Sequence, residues 1–186
     1  MYKVIVILFV GLLGLTGFLF CGDLDPRYHS KEEVKWQIPF GKSFDYNNIL
    51  VTRVVDGDTL VLENSERVRL IGIDTPEIHE SYKLDRDVKR SGTDAAVIKE
   101  MGKQAYEFTK QLVEGKHVRL EFDLERYDRY KRILAYVYLE DNTFVNAEIV
   151  AQGYASLMTY PPNVKYADLF LKLYQLARQN KRGLWK

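Results

Sequence analysis

The clearest alternation of apolar and polar residues lies between residues 52 and 77, where it predicts a hairpin of short β-strands. A β-branched run at 52–55 is interrupted by Asp56-Gly57-Asp58 and resumes at 59–62. After a turn cluster, the alternation of 67–73 ends at Asp74-Thr75-Pro76-Glu77, where the proline removes a backbone donor and ends strand pairing. Both strands therefore end at carboxylates, which the hairpin would bring close together.

The rest of the chain predicts helices and two further strands. The segment Ile78–Asp94 is dense in charge, so we expect a solvated loop beside the second strand end. Apolar residues at helical spacing predict a helix from about residue 95 to 114. Later patterns are listed in chain order: strands at 117–122 and 133–139, a short helix at 145–152, an extended segment at 155–160, a last helix at 166–180, and Leu184-Trp185 folding back as an apolar plug.

This order of elements favours an α+β fold that is mainly β. Strands come first, a helix lies between the third and fourth strands, and helices follow. The pattern suits a five-stranded barrel of the oligonucleotide-binding (OB) type with about three packed helices.

The N-terminal residues 1–22 have the pattern of an export segment. Lys3 precedes an unbroken apolar run that ends at Cys21 and could reach roughly 27 Å as a helix. Its position at the N-terminus favours an export signal over a buried core helix. A cleaved signal, a lipid anchor on Cys21 and an uncleaved membrane helix all stay open. We expect an exported protein, extracellular or in the cell envelope, whose contact with a membrane is this N-terminus.

Residues 23–48 hold prolines and isolated aromatics without a clear period, and we expect a tether whose later part packs on the domain. Residues 49–186 are expected to form that domain. Of the 186 residues 46% are hydrophobic and 13% aromatic, which indicates a globular chain. Lys3 is the only charged residue before Asp23, so the 27 Lys and Arg and the 26 Asp and Glu balance beyond it. Any polyanion would therefore be bound by a local cluster and a metal.

Cysteine and histidine restrict the chemistry further. The single cysteine excludes an intrachain disulfide. The three histidines, at positions 29, 79 and 117, do not have the spacing of metal ligands, which argues against a zinc enzyme.

The strand-end residues suggest a site for a cation and a phosphodiester. Two carboxylates, Asp58 and Asp74, with the backbone carbonyl of Thr75, are ligands for a hard divalent cation such as calcium or magnesium. Arg69, in the second strand, could supply a forked pair of donors to a phosphate beside that cation. Each residue taken singly is more often structural, because Asp-Gly-Asp-Thr is a common turn and Arg69 could be an exposed strand arginine.

Four separated motifs in one order resemble the thermonuclease family, the staphylococcal-nuclease-like domains. They are Asp56-Gly57-Asp58-Thr59, the stretch from Arg69 to Glu77, the stretch from Asp128 to Tyr136, and Arg182-Gly183-Leu184-Trp185. The resemblance covers about Ile49 to Trp185 and implies the same OB-type barrel. It implies a metal-dependent endonuclease of DNA or RNA, with calcium favoured over magnesium, and we expect single strands to be preferred.

The resemblance also implies roles for individual residues. Glu77 would hold the attacking water and accept its proton, while Arg69 and Arg132 would bind the phosphate oxygens and stabilise the transition state. Tyr130 and Tyr160 would stack on the nucleotide or hydrogen-bond to it. The family often has glycines on both sides of the second arginine, whereas this chain has Lys131 and Ile133.

Two other functions compete with the nuclease. One is a binding module, an OB barrel that has lost catalysis, and the other is an envelope lipoprotein with a structural role. A silent copy would be expected to lose some of Asp58, Arg69, Glu77 and Arg132, and all four are present. The set of carboxylates and arginines therefore favours the enzyme.

Overall fold

The computed structural model describes residues 44–186. The predicted export segment and nearly all of the predicted tether lie outside these residues, so export, membrane contact and the boundaries of those segments stay predictions. Tyr46, at the end of the tether, packs on the domain as expected, because its hydroxyl donates to Glu66 Oε2 at 2.6 Å. Within residues 44–186, none of the helices combines the length and the apolar character needed to cross a membrane.

The described residues form seven strands and four α-helices. In chain order the elements are β1 (Ile49–Asp56), β2 (Thr59–Leu62), β3 (Arg67–Leu70), β4 (Gly72–Asp74), α1 (Tyr82–Ser91), α2 (Ala95–Val113), β5 (His117–Glu121), β6 (Ile133–Leu139), α3 (Val145–Ala151), β7 (Ser156–Met158), α4 (Ala167–Gln179) and a 3-10 turn at Gly183–Trp185.

Five of the strands close into a barrel in the order β1-β2-β3-β6-β5. Neighbours are antiparallel except β3 and β6, which run parallel. Apolar residues that alternate along these strands fill the interior, as the period of two requires. They include Val51, Leu60, Val68, Leu120 and Val137. The predicted barrel of the OB type is confirmed.

The segment Ile78–Asp94 is a helix for ten of its residues, and the prediction of a loop there was wrong. Ser81 caps helix α1 by accepting from the backbone N–H of Leu84 at 3.1 Å, and Gly92 ends it in the left-handed conformation. Leu84 is the buried residue of this helix, and the rest of it is charged or partly exposed. Leu84 and Val88 lie four residues apart on one face, but the charged residues around them are also typical of a solvated loop, and the sequence analysis weighted the charge.

The strand predicted through residue 73 is broken in the structure. β3 ends at Leu70, and β4 starts at Gly72 and pairs with β7 in a separate two-stranded sheet. Gly72 has a φ of +84°, and a Cβ at this position would lie 2.5 Å from the ring of Phe170. The break transfers Asp74 from the barrel to the second sheet, where its carbonyl accepts from Ser156 Oγ at 3.1 Å.

Asn146 holds this strand break in place from the interior. The side chain is fully buried on α3. Its Oδ1 accepts from the backbone N–H of Val137 at 3.0 Å, and its Nδ2 donates to the carbonyl of Ile71 at 3.0 Å. Ile71 is the residue between β3 and β4, so one side chain satisfies the backbone where the ladder is interrupted.

Replacing Asn146 with Ala should lower the free energy of unfolding by about 2–4 kcal/mol, because two buried backbone groups lose their partner at about 1–3 kcal/mol each. Urea denaturation followed by circular dichroism measures the change. Glu140→Ala, exposed in the turn before this helix, should cost less than about 0.5 kcal/mol. Equal midpoints for the two variants would show that the Asn146 bonds do not support the strand break.

Candidate active site

Asp58 lies in the sharp turn between β1 and β2, with its side chain directed inward and only 4% of the residue exposed. The turn is fixed on both sides. The backbone N–H of Asp58 donates to Asp56 Oδ1 at 3.1 Å, and Thr109 Oγ1 of α2 donates to the Gly57 carbonyl at 2.8 Å. A Cβ on Gly57 would lie 2.7 Å from Thr75 Cγ2, so glycine lets the turn pack directly on Thr75.

Thr75 joins the two strand ends that carry the carboxylates. Its backbone N–H donates to Asp58 Oδ2 at 2.8 Å, and its hydroxyl donates to the same oxygen at 3.1 Å. Thr75 follows Asp74 directly, so these two bonds also fix the distance between Asp58 and Asp74. The sequence predicted that Asp58, Asp74 and Thr75 would lie together, and the structure brings them together.

Arg69 lies between the two aspartates. Its Nη1 forms an ion pair with Asp58 Oδ1, and its Nη2 is 2.9 Å from Asp74 Oδ1. Burial lowers the pKa of the Arg69 guanidinium below its ordinary value, and the charges of Asp74 and Asp56 oppose that shift. An arginine stays charged even so, and it compensates two buried carboxylates that would otherwise repel each other.

Three oxygens near the Arg69 ion pairs surround the ammonium group of Lys83. Its Nζ lies 2.7 Å from the Thr75 carbonyl, 2.9 Å from Asp74 Oδ1 and 3.1 Å from Glu77 Oε1. Two of the three predicted cation ligands and the predicted general base thus surround one position that accepts positive charge, while Asp58 faces Arg69 and Thr75. These are oxygen donors only, which fits calcium or magnesium held by Asp58, Asp74 and the Thr75 carbonyl.

The predicted ligand set contains only two carboxylates. Among residues 44–186, no group of three or more His, Cys, Asp and Glu side chains is arranged to hold a metal ion. Asp58 and Asp74 would be completed by a backbone carbonyl and by water, as hard cations allow.

Glu77 is held in place through its backbone by α2. A Cβ on Gly102 would lie 2.6 Å from the Glu77 carbonyl oxygen and 2.8 Å from that of Pro76. The absence of a side chain at Gly102 therefore lets the helix pack against the turn that carries Glu77.

Arg132 lies just before β6 and is positioned by Asp128. Its Nε donates to Asp128 Oδ2 at 2.7 Å and its backbone N–H donates to Oδ1 at 2.9 Å. Burial acts to raise the pKa of Asp128, but these bonds outweigh it and the pKa lies below its ordinary value. Repulsion from Arg132 is one of the causes that lower the pKa of the Arg69 guanidinium.

The backbone beside Arg132 has the conformation that a glycine, as in the family pattern, would favour. Lys131 has a φ of +62°, in the left-handed region that favours glycine. The turn is closed by the Lys131 N–H, which donates to the Asp128 carbonyl at 2.9 Å. The chain therefore keeps a glycine-like conformation with a lysine.

The two predicted tyrosines differ in their placement. Tyr130 is 64% exposed, and the Arg132 guanidinium carbon lies 5.6 Å from its ring centre, so it borders the site. Tyr160 is 70% exposed, and no described contact joins it to the carboxylates. Asn163 ties the two tyrosine-bearing loops together, because its side chain bonds the N–H and the carbonyl of Glu125 at 2.8 Å each.

Lys83 and Gly102 are parts of the site to which the sequence assigned no specific role. Lys83 lies in the charged segment that the sequence predicts to be solvated, with contact to substrate as the less favoured alternative for its basic residues. Gly102 did leave a signal, since a glycine in the middle of a predicted helix is unfavourable unless something packs closely against it.

Comparisons with known proteins identify relatives of this chain. The family model described as "Staphylococcal nuclease homologue" matches residues 67–186. The chain is 39% identical over 140 residues to the thermonuclease of Staphylococcus intermedius, covering 74% of this chain and 75% of that protein. It is 35% identical over 138 residues to the thermonuclease of Staphylococcus hyicus, covering 73% of each. An uncharacterized protein of Methanocaldococcus jannaschii is 32% identical over 190 residues, covering 96% of this chain and 90% of that one.

The packing of Gly102 predicts a stability change opposite to helix propensity. Gly→Ala in a helix normally stabilises by about 1 kcal/mol. Gly102→Ala should instead destabilise by about 1–3 kcal/mol, because the new methyl group overlaps the Pro76-Glu77 backbone. Urea denaturation measures the change, and Gln104→Ala, exposed on the same helix, should stay within about 0.5 kcal/mol of the parent. A stabilised Gly102→Ala protein would contradict the close packing.

Proposed function

Since this chain belongs to the staphylococcal nuclease family, we propose that it is a calcium-dependent endonuclease that prefers single-stranded DNA or RNA. Hydrolysis of phosphodiester bonds follows from the family. The observation that supports the detail is the convergence of Asp74, Glu77 and the Thr75 carbonyl on one position that binds positive charge, with Arg69 beside it. These groups match the needs of phosphodiester hydrolysis.

Glu77 is the candidate general base. Its side chain is 23% exposed, so water can reach it, and its carboxylate faces the same position as Asp74. A carboxylate there can accept a hydrogen bond from the attacking water and take its proton as the oxygen bonds to phosphorus. The Gly102 contact holds the backbone that carries Glu77, and so limits the positions from which the base can act.

Arg69 and Arg132 are the candidate donors to the phosphate. Arg132 uses its Nε and its backbone N–H on Asp128, so its Nη groups lie outside that pair. Guanidinium groups aimed at the equatorial and leaving oxygens stabilise the charge that develops in the transition state. Arg69 is fixed by two aspartates before substrate arrives, which lowers the cost of ordering it.

Asp58, Asp74 and the Thr75 carbonyl would hold the cation. When bound, it would neutralise charge on the phosphodiester and polarise a phosphoryl oxygen. Calcium is proposed over magnesium because the set mixes two buried carboxylates with a backbone carbonyl, and calcium tolerates such irregular ligand sets better.

The exposed rings support a preference for single strands. Tyr130 stands in solvent beside Arg132, where an unpaired base could stack while its phosphate meets the guanidinium. Bases in a duplex are already stacked on each other and present no free face to such a ring. Tyr160 would take part only if the strand extends past Tyr130.

Activity should require the divalent cation, and Asp58 should affect its binding. We expect excess chelator to abolish cleavage of single-stranded DNA and RNA, and added calcium to restore it. Asp58→Asn should raise the calcium concentration for half-maximal rate at least tenfold, because a charged ligand becomes neutral. Gel analysis of labelled oligonucleotides across a calcium series gives both results.

Asp141→Asn is the matched variant for this test, because Asp141 is exposed and lies in the turn after β6. It should have the calcium dependence of the parent protein. Undiminished cleavage in excess chelator would exclude the proposed cation site and would favour a different nuclease mechanism.

Glu77→Gln tests the general base. The amide keeps the size and the hydrogen bonding of the side chain but cannot accept the proton, so kcat should fall by about 10²–10⁴. Single-turnover cleavage measures the chemical step, and circular dichroism of the same sample reports the fold. Glu80→Gln, three residues further along and exposed, should keep the parent rate. A folded Glu77→Gln protein that cuts at the parent rate would exclude this mechanism, and retained binding without cleavage in the parent would favour the binding module.

A further inference from the structure

The ammonium group of Lys83 lies against two of the three groups that are proposed to hold the cation. It contacts the Thr75 carbonyl at 2.7 Å and Asp74 Oδ1 at 2.9 Å, and both oxygens belong to the proposed ligand set. It also contacts Glu77 Oε1 at 3.1 Å, so the same group binds the candidate base. A single side chain thus engages two cation ligands and the proton acceptor together.

The local structure places Lys83 there. It stands in the first turn of α1, two residues after the Ser81 cap and directly before the buried Leu84. The cap fixes where the helix starts, and Leu84 fixes which side faces the protein. The Lys83 side chain is 21% exposed, whereas its helix neighbours Asp85 and Arg86 are exposed. The contact is therefore a consequence of how α1 docks.

The ammonium group and a divalent cation cannot both occupy the space between these oxygens. Calcium binds its oxygen ligands at about 2.3–2.6 Å, so it would lie where the ammonium nitrogen now lies, within about 3 Å of the same atoms. A divalent cation and an ammonium group that crowd into one position repel each other strongly in a partly buried site. Binding of one requires departure of the other.

Helix α1 can release the side chain without unfolding the barrel. Leu84 is the buried residue of α1. A cavity of about 250 Å³ is lined in part by Asp87 and Arg90 of the helix and by Thr75 and Pro76 of the turn after β4, so the helix is not closely packed on this turn along its whole length. The Lys83 stem is flexible, so rotation about its own bonds suffices to move the ammonium group into solvent. As a tethered group it rebinds at high effective concentration when the cation leaves.

We propose that Lys83 is a built-in competitor of the divalent cation, which keeps the site closed until the cation displaces it. The inference rests on the proposed function and adds a regulation of the same site. Removing the competitor should make the cation bind more tightly, because it no longer has to displace the ammonium group. The nuclease would consequently be silent at low cation concentration and active where the cation is abundant.

Calcium binding in the absence of nucleic acid is the primary test. The full-length chain in mild detergent is titrated with calcium by isothermal titration calorimetry, as parent, Lys83→Gln and Lys83→Met. Both variants should bind calcium about tenfold more tightly, a difference of ~1.4 kcal/mol. Lys83→Met keeps the length of the stem without any hydrogen-bonding group, so it excludes a substitute bond made by the glutamine. Lys89→Gln, exposed on the same helix, removes the same charge and should bind like the parent.

Thermal unfolding supplies a second readout that does not depend on activity. In chelator, the Lys83 variants should have a lower Tm than the parent, because Asp74 and Glu77 lose a compensating charge. Saturating calcium should raise the Tm of these variants more than that of the parent. A merely structural ion pair would lower Tm equally in both conditions.

The outcomes separate this inference from the proposed function. If the parent binds calcium and needs it for cleavage, but the Lys83 variants bind it with equal or lower affinity, the competitor is excluded and the nuclease mechanism stands. If the variants bind calcium more tightly but lose cleavage at saturating calcium, the competition is supported and Lys83 has a second role toward the substrate. If no protein binds calcium, the proposed cation site fails and this inference fails with it.

Discussion

The placement of one arginine between two buried aspartates is the constraint on which the site depends. β2 and β3 pair so that Thr59 stands opposite Arg69, and this register brings the guanidinium beside Asp58. Asp74 reaches the same guanidinium only because the chain turns at Gly72 into a second sheet. Buried carboxylates this close together are tolerable only with a countercharge between them. The strand register, the break and the charge compensation are therefore one arrangement.

The barrel could be predicted because each of its strands is marked by an apolar pattern within its own residues. The runs at 52–55, 59–62, 117–122 and 133–139 carry their own alternation, and each corresponds to a strand. The break at Gly72 depends on Phe170 and Asn146, which are distant in the chain, and apolar alternation runs through it without a mark. Helix α1 differs, since Leu84 and Val88 do carry a helical spacing, but two apolar residues among charges do not distinguish a docked helix from a solvated loop. Long-range packing decided both cases.

The residues of the site likewise fall into those that local patterns predict and those that depend on long-range packing. Asp58, Asp74 and Thr75 stand at the ends of predicted strands, so their proximity follows from strand pairing, and the motif order of the family agrees with it. The contacts of Lys83 and Gly102 depend on how helices dock against the Asp74–Glu77 turn. No local pattern encodes such docking, although a glycine inside a predicted helix is a reason to look for a close neighbour. Tyr160 shows the opposite limit, because the substrate contact that the resemblance implied for it is not accompanied by any described contact with the carboxylates.

The charge of the cluster connects its resting state with its substrate. Three carboxylates, Asp58, Asp74 and Glu77, are opposed by the two monovalent cations of Arg69 and Lys83, so the cluster keeps an excess of negative charge that repels a phosphodiester. The chain as a whole has a net charge of +1, so no general attraction overcomes that repulsion. A divalent cation in place of the ammonium group would remove this excess, while Arg132 is already balanced by Asp128 and turns only its Nη groups to the substrate. Replacing the Lys83 ammonium group by a divalent cation would thus fill the cation site and also lower the repulsion between the carboxylates and the substrate phosphate.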